Sequence, residues 1–225
     1  MSGFPGLAGL AGIMACVAAL ATASADTTTP VADDAGIVDR LGSHAVVRGN
    51  FIQTRELDNA AASLRSQGRF IFWRNHGVYW ETQQPVQIAR IYRHDKTLVI
   101  EDDGGNAPPG EMRGVRDRHF RETLLTVFSF DKDRLAQRFE QEWGAQGRNW
   151  RLFLTPKNRS LKSYLSMIEL WGAGNIHGLR IYNDEILTLE FHDTRASESL
   201  GIEDCVSGFA YSTEQCVSLT DDSPP

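Results

Sequence analysis

The sequence QGRFIFWRNHGVYWET, at residues 67–82, decides the fold of this chain. It contains two short runs rich in aromatic and β-branched residues, 69–73 and 78–82, separated by a polar turn that ends at Gly77. Two such runs joined by a short glycine-containing turn are typical of a β-hairpin. The fold is therefore expected to be built on an antiparallel sheet.

Both faces of this hairpin are apolar. Phe70 and Phe72 point to one side of the first strand, while Ile71 and Trp73 point to the other. A sheet with one solvated face alternates more cleanly between apolar and polar residues. Both faces should therefore be covered, either by ordinary core and helix packing or by helices that enclose a hydrophobic cavity open to a lipid.

The same pattern continues on both sides of the hairpin. The further predicted strands cover 46–54, 86–92, 98–101, 135–143, 150–154, 164–170, 178–182 and 186–191. About ten short strands without intervening amphipathic helices favour a barrel or a strongly curved antiparallel sheet over an α/β fold.

Two segments have helical periodicity. The first begins near Asp33, with an apolar face that includes Ile37 and Leu41. The second covers 119–130, after a Gly- and Pro-rich loop at 101–118. Its apolar face consists of Phe120, Leu124, Leu125, Val127 and Phe128. A helix that interrupts a meander must bury such a face, and the concave side of the sheet is the available place, so this helix is a candidate lid.

The N-terminus has the order of a secretory signal. All 23 Lys and Arg and all 29 Asp and Glu residues lie after residue 25, and an apolar run at 7–20 precedes Ala23-Ser24-Ala25. This order predicts a signal peptide at 1–25, cleaved after Ala25, and an exported single domain at 26–225. The run is shorter than the roughly 20 residues of a membrane-spanning helix. Acylation of Cys16 is the weaker alternative, because no basic residue precedes the run.

Removal of this signal peptide leaves two cysteines, Cys205 and Cys216. An even number of cysteines in an oxidising compartment predicts one disulfide, which would close a short loop near the end of the chain. A zinc-binding pair is less favoured, because two cysteines at this spacing without a neighbouring histidine do not match a metal motif.

Composition and motifs exclude several functions. The formal net charge of −6 and the pI near 5.5 argue against a nucleic-acid partner. The chain has no Gly-x-Ser-x-Gly, His-Glu-x-x-His, phosphate-loop or Cys-x-x-Cys motif, and its histidines are scattered. No metal, no cofactor and no enzymatic activity are therefore expected. A carboxylate pair assembled from different strands is the alternative left open.

Five segments, in this order, resemble the LolA family of periplasmic lipoprotein carriers. They are GNFIQT at 49–54, QGRFIFWR at 67–74, YWETQQP at 79–85, DKTL at 95–98 and LFLTPK at 152–157. The resemblance spans about residues 33–192, which is most of the exported chain.

The resemblance implies a mainly β fold with helices: an unclosed antiparallel β-barrel of about 10–11 strands covered by a helical lid. Such a carrier is a periplasmic monomer that holds the acyl chains of a lipoprotein, or of another acylated lipid cargo. It would receive this cargo from an inner-membrane release complex and deliver it to an outer-membrane acceptor. The expected lipid-binding residues are Phe51, Phe70, Phe72, Trp80, Ile88, Leu98, Leu124, Leu125 and Phe128.

The resemblance also gives Arg74 a role. In the family, an arginine at the end of the aromatic strand holds the closed lid through hydrogen bonds to backbone groups of the lid, and Arg74 is the matching residue. Here Asn75 follows it, where the family has a proline. The alternative is a surface cation beside a hairpin turn. For the whole chain, the alternative function is a periplasmic sensor or interaction module that uses the same sheet without transporting lipid.

Overall fold

A computed structural model describes residues 34–57, 63–101, 110–112, 115–146 and 149–220. The predicted signal peptide, its cleavage site and Cys16 lie outside these residues. Among the described residues, no helix is both long and apolar enough to cross a membrane.

The described strands form one antiparallel sheet of eleven strands, in the order β6-β5-β4-β3-β2-β1-β11-β10-β9-β8-β7. Their bounds are β1 Val46–Leu57, β2 Leu64–Trp73, β3 Gly77–Gln84, β4 Ile88–Tyr92, β5 Thr97–Glu101, β6 Gly110–Met112, β7 Phe139–Gln146, β8 Asn149–Pro156, β9 Met167–Ala173, β10 Asn175–Tyr182 and β11 Glu185–Ser197. Neighbours in the sheet are also neighbours in sequence, except that β1 pairs with β11. The prediction of an unclosed antiparallel barrel with helices is confirmed.

Six helices accompany the described strands. They are α1 Asp34–Ser43, α2 Val115–Ser129, α3 Lys132–Arg138, α4 Arg159–Lys162, α5 Ile202–Phe209 and α6 Thr213–Thr220. The edge strands β6 and β7 are consecutive in sequence, and α2 and α3 lie between them. The chain must pass from one edge of the sheet to the other at this point, and α2 packs its apolar face on the sheet as it does so.

Several predicted boundaries were wrong. The strand predicted at 135–143 begins at Phe139, because the Asp131 side chain accepts a hydrogen bond from the backbone N–H of Arg134 (3.0 Å) and caps α3. The strand predicted at 164–170 begins at Met167. The short helix α4, the edge strand β6 and the two C-terminal helices were not predicted.

The inner face of the sheet carries the larger core. Phe51, Phe70, Trp80 and other inward residues of the strands pack against α1 and α2. We call the side of the sheet that faces α2 the inner face. A second core lies on the opposite, outer face, where Ile71, Trp73, Tyr79 and Ile91 pack under α5 and α6. Both faces of the central hairpin are therefore covered, as its apolar alternation predicted.

The two C-terminal helices are joined by a disulfide between Cys205 and Cys216, both of which are completely buried. Phe209 of α5 is also fully buried, against the ring of Trp73 (5.3 Å between ring centroids). Arg48 on β1 donates a hydrogen bond to Asp204 of α5 (2.7 Å). The disulfide therefore links α5 to α6. These two helices cover the outer face and are called the outer cap below.

Gly68 on β2 offers a test of the pairing between β2 and β3. Strand β3 lies so close to Gly68 that a methyl group on Gly68 would overlap the carbonyl oxygen of Glu81. We expect Gly68→Ala to lower the free energy of unfolding by about 1–3 kcal/mol or more, because a backbone carbonyl cannot move aside as a side chain can. Urea unfolding measures this change.

The matched control is Gly144→Ala on β7, where nothing lies within 4 Å of the added methyl group. This variant should be neutral, or more stable by up to about 1 kcal/mol, because alanine restricts the unfolded chain. Equal midpoints for the two variants would contradict the pairing of β2 with β3.

Candidate ligand-binding cavity

Helix α2 fills part of the inner face and is called the lid helix below. The ring of Phe128, near its C-terminal end, lies 5.6 Å from that of Phe70 on β2 and 5.7 Å from that of Phe191 on β11, between centroids. Leu124, Leu125 and Val127 are also buried in the inner core. The C-terminal half of the lid helix is therefore closely packed.

A cavity of about 510 Å³ lies beside the middle of the lid helix, farther from its C-terminal end. Its lining includes Phe120 and Leu124 of the lid helix, together with Trp80 and Tyr92 of the inner face. The full lining is Gln53, Arg55, Leu64, Arg65, Ser66, Trp80, Thr82, Pro85, Val86, Ile88, Arg90, Tyr92, Phe120, Leu124, Leu187 and Leu189. This volume is within the range of about 300–1,000 Å³ that is typical of sites for one small ligand.

Large apolar side chains are exposed at this cavity. Leu64 is 58% exposed, Val86 60% and Phe120 38%, and all three belong to the lining. The ring of Phe120 makes an edge contact with Tyr92, at 5.6 Å between centroids. Clustered exposed apolar residues mark surfaces that meet a ligand, a partner or a membrane, whereas isolated ones need no explanation.

The residues predicted to bind lipid fall into three groups. Trp80, Ile88 and Leu124 line the large cavity. The others on the inner side are packed in the core, and two of them also line a small cavity of about 40 Å³ beside α1. The packed residues are Phe51, Phe70, Phe72, Leu125 and Phe128, of which Phe72 and Phe128 line the small cavity.

Leu98 belongs to the third group and corrects the prediction. It pairs with Ile91, whose side chain is fully buried in the outer core, and Leu98 itself packs against that core. Side chains on a strand alternate between the faces, so Val99, opposite Arg90, takes the inner position instead. Alternation puts Leu98 and Ile100 on one side of β5, but it could not decide which face of the sheet that is, because both faces are covered by a core.

Arg74 joins the lid helix to the rest of the fold. Its Nε donates to the backbone carbonyl of His44 (3.0 Å), just beyond α1, and its Nη1 donates to the carbonyl of Ser129 (3.1 Å), the last residue of the lid helix. A cation at a helix C-terminus is favoured by the helix dipole. Burial lowers the pKa of this guanidinium, and the nearby carboxylate of Asp131 partly offsets that effect.

An ion pair joins the lid helix to α3, and a histidine lies near Arg74. Arg138 of α3 donates to the carboxylate of Glu122 (3.2 Å). His94 lies with Arg74 beside a small cavity of about 50 Å³. Burial lowers the pKa of His94, and the positive charge of Arg134 lowers it further.

Three arginines line the large cavity. Arg55 forms an ion pair with Glu185 (3.2 Å). Arg90 lies on the inner face, directly opposite Trp80 in the pairing of β3 with β4. Arg65 lies in the exposed first part of β2. The prediction from sequence missed Arg90 and Tyr92, although their spacing of two and four residues from Ile88 places all three side chains on one face.

The described residues contain little that suggests catalysis. No group of three or more His, Cys, Asp or Glu residues among them could hold a metal ion. The Oγ of Ser160 and the Nε2 of His119 are 3.4 Å apart. This separation exceeds the range of about 2.6–3.2 Å that is usual for a nucleophile and its base.

No family model and no curated protein matches the chain. Among solved structures, its fold is similar to that of a LolA superfamily protein from Nitrosomonas europaea, with 10% identity and a TM-score of 0.41 over 75% of this chain and 95% of that chain. It is also similar to a putative outer membrane lipoprotein-sorting protein domain from Vibrio parahaemolyticus, with 9% identity and a TM-score of 0.40 over 75% and 94% of the two chains. A chain in the Pseudomonas aeruginosa MucA/MucB complex is 15% identical, with a TM-score of 0.41 over 75% and 59%. At these identities the likeness concerns the fold alone.

Proposed function

We propose that this protein is an exported carrier that binds an acyl chain in the cavity between the lid helix and the inner face of the sheet. The observation that carries the proposal is the cavity of about 510 Å³, whose apolar wall includes Trp80, Tyr92 and Leu124. Burial of an acyl chain contributes about 0.8 kcal/mol per methylene. An apolar wall is therefore sufficient for binding, and no catalytic group is needed.

The exposed apolar residues support the same function. Leu64, Val86 and Phe120 present apolar side chains to solvent at the same cavity that the buried Trp80 lines. The lid helix is a separate element between two sheet edges, so it can move without breaking any strand pair. In the proposed cycle, an acyl chain enters beneath the displaced lid helix and the lid helix closes over it. The lid helix then opens again and releases the acyl chain at an acceptor.

The cargo and route follow from the resemblance to the LolA family. We propose that the carrier works as a monomer in the periplasm after removal of residues 1–25. Its cargo would be an acylated lipoprotein or a related envelope lipid, received from an inner-membrane release complex and passed to an outer-membrane acceptor. Mass spectrometry of lipids extracted from the protein, purified from periplasm, tests this cargo directly.

Filling the cavity tests the binding site. Ile88 is half-buried in the wall, so Ile88→Trp would place an indole where the acyl chain is proposed to lie. We expect affinity for the apolar fluorescent probe N-phenyl-1-naphthylamine to fall at least about tenfold, because the probe and the indole compete for one volume. Fluorescence titration measures the affinity.

The matched control is Val217→Trp, which adds the same indole at an exposed position on α6, outside the cavity. Its affinity for the probe should equal that of the unmodified protein. If both variants bind the probe as well as the unmodified protein does, the cavity is not the binding site. A sensor of the same fold would also bind the probe, but it would not speed transfer of acyl lipid from donor to acceptor vesicles.

A further inference from the structure

We propose that Arg90 binds the headgroup of an anionic single-chain amphiphile whose hydrocarbon occupies the large cavity. This inference rests on the proposed function, since it assigns a headgroup site to the same cavity. The headgroup carries a carboxylate or a phosphate, because both accept hydrogen bonds from a guanidinium in the same geometry.

The position of Arg90 is the first observation. Arg90 belongs to β4, where Ile88 and Tyr92 lie two residues to either side and share its face of the sheet. Trp80 is its partner across the strand pair. Arg90 is half-buried, and the lining residues nearest to it on its own strand and on β3 are therefore apolar or aromatic.

The charge around Arg90 is the second observation. Among the described residues, no carboxylate lies within ion-pair distance of Arg90, whereas Arg55 at the same cavity is neutralised by Glu185 (3.2 Å). The lining residues that are charged at neutral pH are all arginines, although the chain as a whole has a formal net charge of −6. An unpaired cation beside apolar surface is stabilised when an anion enters.

The size of the cavity is the third observation. A volume of about 510 Å³ is within the range of sites for one small ligand, so a single hydrocarbon chain is the smallest cargo that would occupy it. Arg65, at the exposed start of β2, adds a second positive charge at the same cavity and would attract the anion during approach. The apolar side chains, the unpaired arginine and the limited volume together define an amphiphile with one chain and one anionic headgroup.

The test is displacement of N-phenyl-1-naphthylamine by three ligands with the same twelve-carbon chain, each below its micelle concentration. The ligands are dodecanoate, dodecyl phosphate and dodecan-1-ol. For the unmodified protein, we expect at least one anion to bind about ten- to a hundredfold more tightly than the alcohol, which corresponds to a hydrogen-bonded charge pair. The tighter anion identifies the headgroup.

Arg90→Gln should remove most of this preference, so that within the variant the anions bind about as tightly as dodecan-1-ol does. The matched control is Arg40→Gln, which removes the same charge from an exposed position on α1, outside the cavity, and should bind all three ligands normally. Added salt should weaken binding of the anions to the unmodified protein more than to Arg90→Gln.

Two results would overturn the headgroup site. One is equal binding of all three ligands by the unmodified protein; the other is a preference for anions that persists in Arg90→Gln. Neither of these results would contradict the proposal that the cavity binds an acyl chain. Failure of the unmodified protein to bind the probe or any ligand would instead refute the proposed function itself.

Discussion

Replacement of Arg74 by leucine should release the C-terminal end of the lid helix. The guanidinium donates to the carbonyls of His44 and Ser129, and leucine can donate to neither. Only the bond to Ser129 ends on the lid helix, and one hydrogen bond that involves a charged group contributes about 1.5–3 kcal/mol. We therefore expect the opening equilibrium of the lid helix to rise about ten- to a hundredfold.

Hydrogen exchange of the amides in 121–129 measures this opening. Their exchange should accelerate by that factor, while exchange in β8 and β9, which pair only with β7, β10 and each other, should not change. If the lid gates release, the variant should keep its affinity for an acyl probe and lose directed transfer to an acceptor, because cargo would escape before delivery.

The matched control is Arg134→Leu. Arg134 is exposed on α3 and pairs with Asp131 (3.4 Å) without contacting the lid carbonyls. The Arg134→Leu substitution removes the same charge from a position close to Arg74, so a purely electrostatic effect would appear in both variants. Unchanged exchange in Arg74→Leu would show that Arg74 is an ordinary surface cation beside a turn.

Removal of the disulfide should destabilise the outer cap. The Cys205→Ser, Cys216→Ser double variant opens a loop of 11 residues. A loop of similar size is stabilised by about 3 kcal/mol in the chain-entropy account, and we expect a loss of about 2–3 kcal/mol in the free energy of unfolding. Two buried hydroxyl groups without sulfur partners would add to this loss.

Urea unfolding, followed by the total tryptophan fluorescence, measures this effect; Trp73 contributes to this signal and packs against Phe209 of the cap. The matched control is Val206→Ser, Val217→Ser, which changes two exposed residues on the same two helices. That double variant should unfold within about 0.5 kcal/mol of the unmodified protein. Equal midpoints for both double variants would mean that the cap contributes nothing to the stability of the sheet.

Local pattern was sufficient for much of the fold. The alternation at 69–73 and the turn ending at Gly77 predict the central hairpin, and the structure confirms it. The helical spacing from Phe120 to Phe128 likewise predicts the lid helix. Such patterns can be interpreted from sequence because each depends on residues within one or two turns of each other.

The lining of the candidate site could be predicted from the sequence only in part. Phe70 and Phe128 are aromatic and inward-facing, yet they pack against each other, while the cavity opens farther along the lid helix beside Ile88 and Arg90. Residue type does not distinguish a packed aromatic side chain from one that lines a cavity. The difference depends on where α2 crosses the sheet.

Sequence alone thus establishes an antiparallel sheet, an inserted amphipathic helix and a pair of cysteines near one end. Tertiary structure alone assigns Leu98 to the outer face, places Arg90 in the cavity wall and folds the cysteine pair into a helical cap. The physical reason is that faces and cavities are set by pairings between distant segments. Foremost among these is β1 with β11, whose partners are separated by more than a hundred residues.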